Sequence, residues 1–265
     1  MNKFKSFAFA IISASLITAC SNNVEQEIAN EPAQVLYEHA QSYLQDGNYT
    51  TAIEYLQAIK SRYSLTPYSE QAQLDLIYAY YQSQEYEKLF VAVNNFIKNN
   101  QHSPNLDYAL YMMGLGHSML NNNFTLDLFH LDPANRDSDA MKKAFANFRI
   151  LVTTFPKSPY TPDALNRMAY IKSILARHEL HVAKFYAKRH AYVAVSNRIV
   201  DMLKKYPNTR ATFEALPLLK KAYQEMGLTQ LAEQTEQLIQ ANKGKIPAEI
   251  AKPGEPQRYM PPERS

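Results

Sequence analysis

The 265-residue chain holds a single cysteine, no tryptophan and only six glycines. One cysteine excludes an internal disulfide and every multi-cysteine zinc pattern. No glycine-rich phosphate loop and no Gly-x-Ser-x-Gly nucleophile elbow occurs. Alternating runs of β-branched residues are nearly absent, which argues against a sheet. The formal charge is only +3, so bulk electrostatics nominates neither nucleic acid nor acidic lipid as a partner. What the chain has in quantity is Ala, Leu, Gln, Glu, Lys and Tyr, a composition suited to helices. Its 46% hydrophobic content is ample for a core.

The one long apolar run lies at the start. Lys3 and Lys5 precede a stretch from Phe7 to Ala19 that closes on Ile17-Thr18-Ala19-Cys20 and Ser21. A basic start, about a dozen apolar residues and small residues at the end read as an export signal, too short for a membrane span. The tetrapeptide ending at Cys20 resembles the bacterial lipobox, in which the thiol takes a diacylglycerol and the new amino terminus is acylated. Residues 1–19 are then a cleaved signal and 20–31 a lipidated flexible linker. Loss of Lys3 and Lys5 takes the formal charge from +3 to +1. Three acyl chains, at about 0.8 kcal/mol per buried CH₂, make a near-permanent anchor. Asp after the lipidated cysteine resembles an inner-membrane retention mark. Ser21 stands there instead, which points to the outer membrane, periplasmic face.

A repeat organises the middle. Asp46-Gly47-Asn48-Tyr49-Thr50-Thr51-Ala52-Ile53, with Ala40 and Tyr43 before and Leu56 and Ile59 after, has tetratricopeptide (TPR) spacing. In register, the second-helix marker falls at Ala52, Leu89, Ala144, Val195 and Ala232, with spacings of 37, 55, 51 and 37. First-helix close-packing positions fall at Ala40, Ile77, Gly114, Ala183 and, atypically, Lys220. The pattern predicts an all-α TPR solenoid of about five helix pairs. Repeats one and two and the first helix of three occupy 32–120, an insert 121–139, and the remainder 140–243. The insert carries Phe124, Leu128, Phe129 and Leu131, apolar enough to fold back on the array. Residues 162–177 form an amphipathic stretch running on into repeat four, and Pro217 should kink the first helix of repeat five. Ser103-Pro104, Ser158-Pro159 and Thr161-Pro162 read as N-caps followed by proline. Pro247, Pro253, Pro256, Pro261 and Pro262 crowd the tail, so 244–265 is expected to be disordered or extended.

No constellation points to catalysis. His178-Glu179-Leu180-His181 places two histidines on one helix face with no third ligand, the mark of an ordinary surface. Asp137 and Asp139 suit N-caps of a helix starting near Ala140 better than paired catalytic carboxylates. Lys184 to Arg189 mixes basic and aromatic residues without a nucleic-acid-binding motif. The chain is therefore expected to be no enzyme, with no metal and no cofactor beyond the lipid on Cys20.

Nineteen tyrosines remain to be explained. A TPR groove is lined by first helices, and its positions project onto Tyr37, Gln41 and Leu44, onto Leu74, Tyr78 and Tyr81, and onto Tyr108, Tyr111 and Leu115. Such a groove suits extended or helical peptides with aromatic side chains, with a minority of the rings packing between helices.

These residues, with others, resemble the BamD family, the TPR lipoprotein of the outer-membrane β-barrel assembly machinery. The likeness runs from the lipobox to about Asn242. It is carried by 44–49, Arg62-Tyr63, Pro67-Tyr68-Ser69 and 73–81. Pro104-Asn105, Asp107-Tyr108, Gly114-Leu115, Phe129, Asp132, Arg136-Asp137, 191–195 and Asn197-Arg198 complete it. Ser64, Ser103 and Ser138 depart from the family pattern. The resemblance implies that repeats one to three receive unfolded β-barrel proteins; Tyr37, Arg62, Tyr63, Leu74, Tyr78, Tyr81, Tyr108 and Tyr111 are the expected binding residues. It further implies that later repeats dock on the barrel-forming subunit and accessory lipoproteins. Arg198, beside a Val195, Ile199, Met202 stripe and reaching solvent, is the expected partner contact, pairing with a carboxylate. A pilotin-type TPR lipoprotein that chaperones a pilus or secretin subunit is the alternative.

Overall fold

The computed structural model describes residues 28–120 and 138–254. Cys20, the insert residues Phe124, Leu128, Phe129 and Leu131, and Asp137 lie outside the described residues. The chain divides into two units, residues 1–85 and 86–265.

The first unit contains α1 (Ala33–Gln45), α2 (Tyr49–Arg62) and α3 (Tyr68–Gln82). Each helix packs on the other two. The α1–α2 turn is local chemistry. Gly47 takes φ 73°, and the Asn48 side chain caps α2 by accepting from the Thr51 amide at 3.3 Å. Ala40 and Ala52, the two small marker residues, are fully buried, so α1 and α2 approach closely.

The second unit contains α4 (Tyr86–Asn99), α5 (Leu106–Leu120), α6 (Asp139–Thr154), α7 (Thr161–Ala187), α8 (Tyr192–Lys205), α9 (Arg210–Glu225) and α10 (Thr229–Ala241). Successive helices pack as neighbours, and α9 also packs on α7. The 27 residues of α7 carry the amphipathic stretch into repeat four as one helix. Its inner face, Ala176, Leu180 and Ala183, joins Val195, Ile199 and Met202 of α8 and Ala211, Ala215 and Leu219 of α9 in a single core. At Gly114 a Cβ would meet the Phe148 ring at 2.5 Å, so only glycine permits this α5–α6 approach.

The repeat is as visible in the backbone as in the sequence. Gly47, Gln84, His190 and Gly227, each just past a helix, take positive φ. In each case the next amide reaches back five residues to a tyrosine carbonyl, on Tyr43, Tyr80, Tyr186 and Tyr223, at 2.9–3.2 Å. This closure satisfies carbonyls the helix leaves open. Repeat ends close alike too. Thr66 donates to the Tyr63 carbonyl at 2.8 Å, Thr161 to Phe155 at 2.8 Å and Thr212 to Tyr206 at 2.7 Å. The fold class is all-α of the TPR type. Among the described residues no helix is long and apolar enough to cross a membrane.

Two local expectations are corrected. Ser138, not an aspartate, precedes α6; Asp139 is its first residue and pairs with Lys142 at 3.0 Å. Ser103 and Ser158 accept from the amides two residues on, at 3.0 and 3.2 Å. They make turns ahead of α5 and α7 instead of capping them, because the following proline leaves the first free amide one residue later. Residues 245–254 of the tail carry no regular secondary structure, and Arg177 and Arg167 of α7 donate to Glu249 and Gly254. Across Pro217, α9 continues as one helix.

Candidate functional site

In the first unit α1 and α3 carry accessible aromatic surface. Tyr37 and Tyr68 are half-buried, with ring centroids 5.5 Å apart. Beneath them Asp75, only 7% exposed, accepts from the Tyr37 hydroxyl at 2.9 Å, from Gln41 at 2.6 Å and from Gln71 at 3.3 Å. A buried carboxylate that accepts three bonds fixes the rings and amides around it. The face therefore offers flat apolar area beside ordered polar groups, the combination an extended peptide needs for side-chain and main-chain recognition. Tyr78 is half-buried and meets Tyr49 edge-on at 6.3 Å.

Several expected groove residues are elsewhere. Leu74 is fully buried and Tyr81 is 7% exposed, so both belong to the core of the first unit. Arg62 and Tyr63 grip the chain that leads into α1. Arg62 donates to the carbonyls of Ile28 at 2.6 Å and Ala29 at 2.9 Å, and the Tyr63 hydroxyl donates to that of Glu31 at 2.8 Å. They tie down the end of the segment expected to be a flexible linker, and these bonds engage the groups expected to meet substrate.

In the second unit Tyr108 and Tyr111 have no exposure at all. Tyr160, from the connection ahead of α7, covers both: it stacks on Tyr111 at 5.0 Å and lies 5.5 Å from Tyr108. The Tyr111 hydroxyl donates to Asp163 Oδ2 at 2.5 Å, and burial with that bond holds the phenol well above its ordinary range. These rings are interior packing, and their place in an open groove is withdrawn. The same carboxylate oxygen takes Arg167 Nε at 2.5 Å.

Arg198 on α8 is partly exposed and donates through Nη1 to Glu179 Oε2 of α7 at 2.8 Å. Val195, Ile199 and Met202, the stripe next to it in the sequence of α8, are buried. One edge of the planar guanidinium is thus held by an internal carboxylate. Burial and the Glu179 charge push the nearby Tyr206 phenol up. On the same helix Val193 is 63% exposed and Asn197 is open to solvent. Val193, Asn197 and Arg198 thus place an apolar, an amide and a cationic side chain close together on one helix.

Tyr68, Gln71 and Asp75 were missed as site residues. Their signal was present, since Tyr68, Gln71 and Asp75 recur at i, i+3 and i+7 and so share one helix face. Among the described residues no cluster of three potential metal-binding groups occurs.

Residues 29–238 match the family model described as "YfiO: Outer membrane lipoprotein". The chain is similar to proteins named "Outer membrane protein assembly factor BamD". That of Pasteurella multocida is 52% identical over 98% of this chain and 99% of the relative. The Haemophilus influenzae protein is 49% identical over the same shares, and that of Vibrio cholerae 41% identical over 88% and 96%.

Proposed function

Since the chain belongs to the BamD family of outer membrane lipoproteins, we propose that it is a receptor for unfolded β-barrel proteins and a scaffold that docks on the barrel-forming subunit. As a member it is a non-enzymatic factor of outer membrane protein assembly. Lipid on Cys20 holds it at the outer membrane, facing the periplasm, and no cofactor takes part. The relatives' names support barrel assembly over a pilotin role.

The observation that carries the receptor reading is the α1–α3 face. Tyr37 and Tyr68 supply ring area, while Asp75 orders Gln41 and Gln71 beside them. Burying one large apolar side chain contributes about 1.5–3 kcal/mol, and ordering an unfolded segment takes back part of it. Two or three such contacts, about 3–9 kcal/mol before that cost, place binding in the roughly millimolar to micromolar range, suited to a reversible handover. Peptides from the terminal strand of β-barrel proteins are the test ligands. A Tyr37→Ala, Tyr68→Ala double variant should bind them at least tenfold more weakly with its helicity intact. Equal binding by that variant, or by a scrambled peptide, counts against the reading.

Docking is assigned to the α8 patch. Arg198, oriented by Glu179, presents its remaining donors to a carboxylate on the partner, with Val193 and Asn197 beside it. Arg198→Glu should reduce co-purification of the barrel-forming subunit without changing peptide binding. An Asp or Glu to Lys change on the partner should restore it.

A further inference from the structure

Past α10 the chain leaves the helix pairs and continues without regular secondary structure along α7, its contacts running in the direction opposite to the helix. Two arginines of α7 hold it. Arg177 Nη1 donates to Glu249 Oε1, and Arg167 Nη2 donates to the main-chain carbonyl of Gly254 at 2.9 Å. The grips match in spacing. Ten helical residues from Arg167 to Arg177 rise about 15 Å, and the five residues from Glu249 to Gly254 reach about 16 Å when extended. The face therefore reads register: one carboxylate, then an open carbonyl five residues on.

Arg167 is set up for this task. It is 7% exposed, and Asp163 pins its Nε, itself steadied by the Tyr111 hydroxyl. A guanidinium fixed on one edge presents its other donors without rearrangement, where water competes poorly. Ser173 of α7 and residues 208–211 at the start of α9 complete the floor, and Arg210 is engaged with Glu214 at 2.8 Å. The bound segment, in contrast, buries little. Ile246 is 52% and Ile250 39% exposed. Apolar burial does not lock the segment down, so the polar grips decide whether it stays.

We propose that the α7–α9 face of the second unit binds extended peptides carrying a carboxylate five residues before an open main-chain carbonyl. Residues 245–254 occupy it in cis until such a segment of a partner protein displaces them. The inference stands whether or not the α1–α3 face takes substrate. A tethered tail acts at an effective concentration in the millimolar range. A free peptide then sees only the open fraction of the chain, and its apparent affinity falls by that fraction.

The test uses the full mature chain and a fluorescent peptide with the sequence of residues 245–254, followed by anisotropy. Glu249→Arg in the chain releases the tail, so the peptide should bind at least tenfold tighter than to the unaltered chain. Arg177→Glu also releases the tail but reverses the preference: it should bind a peptide with Arg at the Glu249 position and reject the original. Circular dichroism confirms that both variants keep their helices. Equal affinity of the original peptide for the unaltered and Glu249→Arg chains overturns the proposal. So does binding of the original peptide to Arg177→Glu as tightly as to Glu249→Arg.

Discussion

Tyr111 on α5 donates its hydroxyl proton to Asp163 on α7 at 2.5 Å, linking the third helix pair to the long helix that follows. The bond is made by a fully buried ring, so its loss is felt as stability. Tyr111→Phe keeps the packing and removes one bond to a charged acceptor, a cost of about 1.5–3 kcal/mol. Tyr111→Ala adds a cavity and should cost about 3–5 kcal/mol. Urea denaturation measures both. Peptide binding to the α1–α3 face should be unchanged in Tyr111→Phe.

Gly114 gives a second stability test. Its α carbon faces the Phe148 ring so closely that an added methyl falls 2.5–2.8 Å from three ring atoms. Gly114→Ala should destabilise by about 1–3 kcal/mol through overpacking. Combining it with Phe148→Leu should recover part of that loss, since the clash depends on the ring. Melting temperatures of the two single variants and the double variant decide it.

His117 makes stability depend on pH. It stacks on Phe90 at 4.2 Å, and its Nδ1 lies 2.9 Å from the Met113 carbonyl. Burial, with Lys143 also contributing, lowers its pKa below the ordinary 6.5, and the Met113 bond and Glu87 oppose this only in part. The unfolded chain therefore takes up this proton more readily than the native one. Its contribution to stability is full above pH 6.5 and is lost as pH falls from there through the lowered native value. His117→Gln should flatten that part of the stability profile, measured by denaturation from pH 7.5 to 5.

Cys20 carries the localisation prediction. Cys20→Ala should move the protein from the membrane to the soluble fraction while circular dichroism stays helical, because every helix of thirteen residues or more among those described begins at Ala33 or later. Mass spectrometry of the mature amino-terminal peptide of the unaltered protein should find it acylated. An unmodified Cys20 would sink the anchor.

The helix pairs were legible because their signals are local. Gly47 and Gly227 mark turns that need positive φ, and Ala40, Ala52 and Gly114 mark close approaches that need a small residue. Gln84 and His190 adopt the same turn without glycine, and there only the 37-residue spacing showed it. The candidate site was less legible. Tyr37 and Tyr108 hold comparable projected positions, yet one is half-buried and the other fully enclosed.

By itself the sequence determined the all-α class, the repeat and the family likeness, since each is a pattern of neighbours along the chain. Tertiary structure alone decided which tyrosines face solvent, because that depends on what covers them. Tyr160 closes over Tyr108 and Tyr111 from some 50 residues away. It also decided that Arg62 and Tyr63 hold the leading segment, that Arg198 is engaged by Glu179, and that the tail lies on α7. Each of those contacts joins residues 19 to 87 positions apart. A charged side chain's partner at such distance is chosen by the packing of helices, and helical periodicity carries no record of it.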